Sequence, residues 1–478
     1  MGPLQSTPSQ RQQARKQLGA WATPLDLVHA VIERSITPDW LAARSGPVRV
    51  LDPACGDGRF LRAAARRIAD LGGGSELTGV DIDPASLDLM AGDVELHDVE
   101  RWCADALATD WADRRFDLVV GNPPYLSQMS TRTTRGGSSR HGGGPYADAA
   151  AEFLALAVRL AETDRGRIGL VLPQSILASR DAGGVRAAVE RSAAMTWSWW
   201  SPDRQFDAEV VVCALGFERT TPPTTHQAPP DPTRVAVPTA SAALPTWSHV
   251  VVEHLGIPDL PELRAVGTIG DRAGANANFR DEYYGLVRAV DDHADGPPLI
   301  TTGLIDPGRC HWGERPVRFA KRTFAAPRVD RELLDERMQR WASRKLVPKV
   351  LVASQTKVVE AVVDADGTWL PGVPVISVVP SPGIDPWEIG AILTSPVATV
   401  AVWHQSAGTG LSAGAVRLGP ANISAIPWPA GDLGEAARSL RDGQVLACGR
   451  IVTDAFGVHA DHPMVAWWAE RIARRSAA

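Results

Sequence analysis

The run Val48-Arg49-Val50-Leu51 leads directly into Asp52-Pro53-Ala54-Cys55-Gly56-Asp57-Gly58, and a helical pattern begins at about Arg59. A strand that ends in a tight glycine turn and opens a helix leaves a small concavity at the strand's carboxyl end. Gly56 and Gly58 allow the backbone to approach a ligand closely there. The same alternation continues along the chain. Short β-branched stretches at 48–51, 77–80, 116–120, 168–172 and 210–217 alternate with Ala-, Leu- and Arg-rich helical stretches such as 60–70 and 149–161. This predicts an α/β fold with a doubly wound, mostly parallel sheet covered by helices, and ligand loops at the strands' carboxyl ends.

The pattern breaks at 220–232 (TTPPTTHQAPPDP), a Pro/Thr-rich stretch without periodicity. Beyond it glycine and proline are frequent, strands are short (349–353, 358–363, 375–379), long helices are few, and the stretch after 431 reads as helical. The expected organisation is a flexible lead-in over 1–18, a sheet domain over 19–219, a linker region over 220–250 and a smaller mixed α+β domain over 251–478. The Gly/Ser-rich stretch 130–144, with Arg132, Arg135 and Arg140, reads as a mobile loop inside the first domain. At 478 residues the chain can bury two cores. No apolar run approaches the roughly 20 residues of a membrane span, and the N-terminus lacks a signal peptide's apolar core. The five cysteines are scattered without a CxxC pair, which argues against a zinc site or a disulfide framework. The expectation is a cytoplasmic protein without metal.

A net charge of -6 does not advertise a polyanion binder, so any such surface must be local. Residues 301–350 hold twelve Lys/Arg against six Asp/Glu, with Arg315, Arg318, Lys321 and Arg322 among them. On its own that run reads equally as a solvated face.

Two more acids fall at predicted strand ends. Asp81 closes Thr78-Gly79-Val80-Asp81, where a carboxylate can accept both hydroxyl hydrogens of a ribose. Asp105 follows Trp102-Cys103-Ala104, where an acid can accept from an adenine amino group. A lone Asp is commonly a cap; three acids registered with one glycine turn suggest a nucleoside site. Downstream, Phe116-Asp117-Leu118-Val119-Val120-Gly121 ends in Asn122-Pro123-Pro124-Tyr125. Two prolines fix φ and remove two N–H donors, leaving a rigid turn with the Asn122 amide oxygen and the Pro123 carbonyl as acceptors. Both can accept from a planar NH2 group and hold its nitrogen for attack on an activated methyl, which is positioning and preorganised electrostatics. Tyr125 offers a flat face for a base.

The series DPACGDGRFL, GVDID, ADAL and FDLVVGNPPYL resembles the motifs of adenine-N6 DNA methyltransferases, and Gly19-Ala20-Trp21-Ala22-Thr23-Pro24 resembles the segment preceding the glycine motif in their gamma class. The likeness is to the TaqI type. It implies S-adenosylmethionine as cofactor, with Thr23 and Asp52 at its methionine end and Pro53, Ala54, Gly56 and Gly58 in the turn beneath it. Asp81 is implied on the ribose, Asp105 and Phe153 on the adenine, and Asn122 beside the methyl. It also implies that Phe206, in Gln205-Phe206-Asp207, stacks on a flipped target base opposite Tyr125. The second half is similar in outline to that family's target-recognition domain, so double-stranded DNA is the expected substrate. The enzyme would be the modification component of a restriction–modification or phage-defence system. No nuclease signature is present, so cleavage would fall to a separate endonuclease or to defence-system proteins.

The tetrapeptide also serves methyltransferases acting on protein glutamine or an RNA base, and cytosine N4 poses the same problem. The glycine-turn form, the Thr23-Pro24 segment and the large second half favour DNA; Asn rather than Ser at 122 favours adenine. A DNA-binding specificity subunit that has lost activity is the alternative of a different class.

Overall fold

The computed structural model of the chain describes residues 22–125, 142–144, 147–203, 205, 210–220, 246–410, 412 and 414–476. The chain divides into two compact units, Met1–Val250 and Val251–Ala478.

The first unit is built on seven strands: β1 (Val48–Asp52), β2 (Ser75–Asp81), β3 (Glu100–Cys103), β4 (Leu118–Gly121), β5 (Arg167–Pro173), β6 (Ala193–Trp200) and β7 (Val212–Arg219). Their order is β3-β2-β1-β4-β5-β7-β6, with every pairing parallel except the two made by β7. This is the doubly wound, mostly parallel sheet that the alternation predicts. β4 is buried throughout, as expected of a parallel strand covered on both faces. Helix α1 (Leu25–Ser35) buries Leu27, Val28, Val31 and Ile32 along one stripe. In α2 (Arg59–Asp70) Phe60, Leu61, Ala64 and Ile68 do the same, while Arg66 turns outward to Glu95. Helix α3 (Ala149–Leu160) is capped by the Asp148 carboxylate, which accepts from Ala150 N.

Register brings the chemistry to one end. Asp52 pairs with Gly79, Asp81 with Cys103, and Leu51 with Val119, so β1, β2, β3 and β4 all finish at the same edge. β3 and β6 are not among the predicted strands, and Phe116 makes only an isolated bridge to Ala161 ahead of β4. Of the region expected as linker, residues 221–245 lie outside the described residues. Trp247 is buried against Phe217 at 5.3 Å and donates to Glu190 at 2.8 Å.

The second unit centres on a four-stranded antiparallel sheet formed by β8 (Ala273–Ala277), β9 (Lys349–Ala353), β10 (Ala361–Asp364) and β11 (Val375–Pro380), in the order β10-β9-β11-β8. β9 is wholly buried, and Lys349 on it is ion-paired with Asp364 of β10. The stretch after 431 is helical as expected, with Gly434–Arg441, Val445–Ala455 and Pro463–Ser476, whereas Pro386–Leu393 and Pro396–Ser406 are helices that the sequence reading does not pick out. In Pro396–Ser406 the β-branched content obscures a helix that Ser395 caps at 3.1 Å and Pro396 starts. A tight hairpin, Val317–Phe319 with Arg322–Phe324, turns on Ala320 and Lys321 at φ 47 and 66. For residues other than glycine that conformation costs roughly 1–2 kcal/mol each. Among the described residues no helix is long and apolar enough to cross a membrane.

Candidate active site

The glycine turn is folded as its sequence demands. Gly56 and Gly58 take φ of 52 and 76, in the left-handed region that glycine enters freely. A side chain at Gly58 would meet Leu96 at 2.6 Å, whereas the space beyond Gly56 is open to 4 Å. The turn is tied to the neighbouring strand: Cys55 N donates to Val80 O at 2.9 Å, and Gly56 N donates to the Asp81 carboxylate at 2.8 Å. The other Asp81 oxygen accepts from Asp83 N at 2.8 Å. Burial nevertheless holds the Asp81 pKa above the usual carboxylate range, against the pull of these two N–H groups.

Asp52 is buried at 1% exposure and accepts from Ala54 N at 3.1 Å. Burial, reinforced by the charges of Asp81 and Asp57, pushes its pKa up to about 8, although the Ala54 N–H favours the ionised form. A carboxyl in this state favours a cation as a neighbour.

Gly121, with φ 149, lets the chain pass directly over that carboxyl, since a Cβ there would lie 2.4 Å from Asp52 Oδ1. The next residue is Asn122. Its amide is oriented at both ends: Nδ2 donates to Thr23 Oγ1 at 3.0 Å, and Oδ1 accepts from the Tyr125 hydroxyl. Burial raises the Tyr125 pKa far above its ordinary value, so the hydroxyl keeps its proton to donate. Tyr125 is only 9% exposed, so in this arrangement its ring is packed rather than offered to solvent.

The structure brings Thr23, Asp52, Pro53, Ala54, Gly56, Gly58, Asp81 and Asn122 to one edge of the sheet. Asp105 follows β3 at that edge; it is exposed and accepts from Leu107 N at 3.0 Å. Phe153 is buried on α3. Phe206, Gly19, Ala20, Trp21 and the stretch 130–141 lie outside the described residues.

Two contributors are not evident from sequence. Arg59 donates to the Thr23 carbonyl at 2.5 Å and, through Nε at 2.9 Å, to the Asp57 carboxylate, tying the N-terminal segment to the glycine turn. Burial alone would raise the Asp57 pKa; the Arg59 bond outweighs it and the pKa ends below the usual range. Glu152, buried beside Phe153, accepts from Gly143 N at 2.8 Å.

A seven-stranded sheet of this order, with acids closing β1 and β2 and an Asn-Pro-Pro-Tyr turn closing β4, defines a class I methyltransferase fold. Residues 9–192 match the N-6 DNA Methylase family. The chain is 28% identical over 169 residues to the Type II methyltransferase M.CvrRI of Paramecium bursaria Chlorella virus XZ-6E, covering 34% of this chain and 38% of that one. It is 38% identical over 110 residues to the Type II methyltransferase M.TthHB8I of Thermus thermophilus, 23% of this chain and 22% of that one. It is also 32% identical over 102 residues to the release factor glutamine methyltransferase of Bordetella pertussis, 20% of this chain and 35% of that one. The matched stretches thus span well under half of each of these relatives.

Proposed function

We propose that the chain is a gamma-class, TaqI-type DNA methyltransferase that methylates the N6 amino group of an adenine flipped out of double-stranded DNA, using S-adenosylmethionine. Its role would be the modification step of a restriction–modification or phage-defence system. The observation that carries this reading is the Asn122 amide, fixed by Thr23 where β4 ends, with the desolvated Asp52 carboxyl beneath Gly121.

The residues suit the cofactor chemically. Asp52 and Thr23 would receive its methionine end, because a buried, charge-poor carboxyl is stabilised as the anion by an ammonium group. The open cradle at Gly56 and the Asp81 carboxylate would receive the ribose, and Asp105 and Phe153 the adenine. When bound, S-adenosylmethionine would supply a methyl group activated by its sulfonium, whose sulfur departs as a neutral thioether.

Thr23 fixes which end of the Asn122 amide faces the substrate. Oδ1 and the Pro123 carbonyl then accept the two amine hydrogens and hold the nitrogen in line. A target amine must displace the Tyr125 hydroxyl from Oδ1, which couples base entry to release of the Tyr125 ring for stacking. No general base is required, since the nitrogen becomes acidic only once alkylated. Phe206 is proposed for the other face of the base.

The likeness to a glutamine methyltransferase keeps one rival alive, because a side-chain amide poses the same hydrogen-bond problem. Both readings are tested by sequencing methylated bases in DNA from cells expressing the chain, beside cells expressing Asn122→Ala. N6-methyladenine at a defined motif is expected with the former. Asn122→Ala should lose about a hundred- to a thousandfold in transfer, a loss of the size seen when preorganised hydrogen-bonding groups are removed, while keeping its cofactor affinity. Methylated cytosine, unmethylated DNA, or full turnover by Asn122→Ala would overturn the proposal.

A further inference from the structure

The twelve cations of residues 301–350 fall into three groups by their partners. Six are ion-paired, among them Arg315 with Asp306 at 2.9 Å and Arg322 with Asp291 at 3.4 Å. Arg328, Arg331 and Lys345 make hydrogen bonds, whereas Arg318, Lys321 and Arg344 are exposed and, among the described residues, make neither a hydrogen bond nor an ion pair. Of these three, Arg318 and Lys321 belong to one element, the hairpin Val317–Phe319/Arg322–Phe324. Its inner face is Val317, Phe319 and Phe324, all buried; Arg318 stands on the outer face opposite Thr323, and Lys321 occupies the two-residue tip.

That tip is costly for its sequence. A two-residue turn with positive φ at both positions favours Asn-Gly, yet here it carries Ala320 and Lys321. Nothing the exposed lysine touches accounts for this conformation, and such an outlier is a reason to look for function.

The hairpin's neighbour points the same way. Phe319 packs at 5.2 Å on Tyr283 of the helix Arg280–Leu286. Tyr284 of that helix is exposed at 59% and Phe279, the residue that caps it, at 73%, with the Arg280 guanidinium 5.5 Å from the Tyr284 ring. Most nearby acids are engaged: Glu282 accepts from Phe279 N, and Asp291 pairs with Arg322; Asp281 remains exposed.

A two-stranded ribbon is one of the two elements that fit a duplex major groove, and exposed aromatic planes beside it can wedge or stack on bases. We propose that the hairpin 317–324, flanked by Phe279 and Tyr284, is the element with which the second unit enters a groove of double-stranded DNA. Lys321 leads at the tip, and both it and Arg318 meet the phosphate backbone. The inference rests on the DNA-methyltransferase reading above.

The test uses the full-length protein and a fluorescent duplex of mixed sequence, titrated by anisotropy over a salt series. Arg318→Gln with Lys321→Gln should weaken binding at least about tenfold. The same pair should flatten the log–log salt dependence by roughly 1.8, at about 0.9 for each phosphate no longer neutralised. Phe279→Ala should weaken binding without changing that slope. A third variant separates reading from mere folding: Ala320→Asn with Lys321→Gly installs the preferred turn, so its melting temperature should rise while DNA affinity falls. Unchanged affinity and slope in the charge variants, in an enzyme whose wild type binds and methylates DNA, would overturn the hairpin's role alone. A wild type that neither binds nor methylates duplex would overturn the function reading and this inference with it.

Discussion

Asp52 is the residue whose chemistry is most altered by its surroundings. An isolated aspartate ionises near pH 4; here burial pushes the value up to about 8. If an ammonium group binds beside it, binding requires the ionised form, so below about pH 8 the carboxyl must release a proton as the ligand enters. S-adenosylmethionine affinity should therefore rise from pH 6 to pH 8, by up to tenfold per unit. Above that it should fall as the ligand's own amino group loses its charge. Calorimetry in buffers of different ionisation enthalpy should show proton release on binding at pH 7, and Asp52→Asn should abolish the release. A flat affinity profile across that range would remove Asp52 from the cofactor site. Such an effect is not legible in the sequence. The chain shows an acid after a strand, but not that Gly121 closes over it or that Ala54 N donates to it. Arg59 is hidden for a related reason, since its reach to the Thr23 carbonyl joins residues 36 positions apart.

Among the elements, legibility follows burial. β1, β4 and β5 lie inside the sheet and read as short β-branched runs, because both faces need apolar side chains. β3 carries Glu100 and Arg101, is largely exposed and so resembles a loop. β6 (Ala-Ala-Met-Thr-Trp-Ser-Trp-Trp) is an edge strand whose Thr and Trp favour β structure but which lacks the Val/Ile run that marks the inner strands. In the second unit β9 reads clearly, yet the Lys349 that opens it is fully buried and is neutralised by its cross-strand neighbour Asp364. Asp364 also accepts from Thr368 N and Trp369 N, both at 3.0 Å, so it joins β10 to the following turn. Lys349→Met would fill the space but strand a buried carboxylate. That should cost about 3–5 kcal/mol, visible as a lower urea midpoint, while calorimetric S-adenosylmethionine affinity stays at its wild-type value. A loss under about 1 kcal/mol would mean that the backbone donors alone satisfy Asp364.

For the whole molecule, the two units each have a sheet of their own and a buried core, and the candidate chemistry lies entirely in the first. Cofactor binding and the Asn122 turn should therefore need only residues 1–250, whereas selection of a DNA sequence should need the cations and aromatics of residues 251–478. Produced separately, the 1–250 fragment is expected to bind S-adenosylmethionine within about threefold of the full chain. Its kcat/KM on duplex DNA should fall at least about a hundredfold, because about 3 kcal/mol or more of substrate positioning goes with the second unit. The 251–478 fragment should keep a salt-dependent affinity for duplex and show no cofactor binding. Filter binding, calorimetry and labelled methyl transfer on the two fragments provide the measurements. If the first fragment alone methylated duplex at the full rate and at the same sequence, base selection would have to reside in the methyltransferase domain. The hairpin at 317–324 would then need another partner.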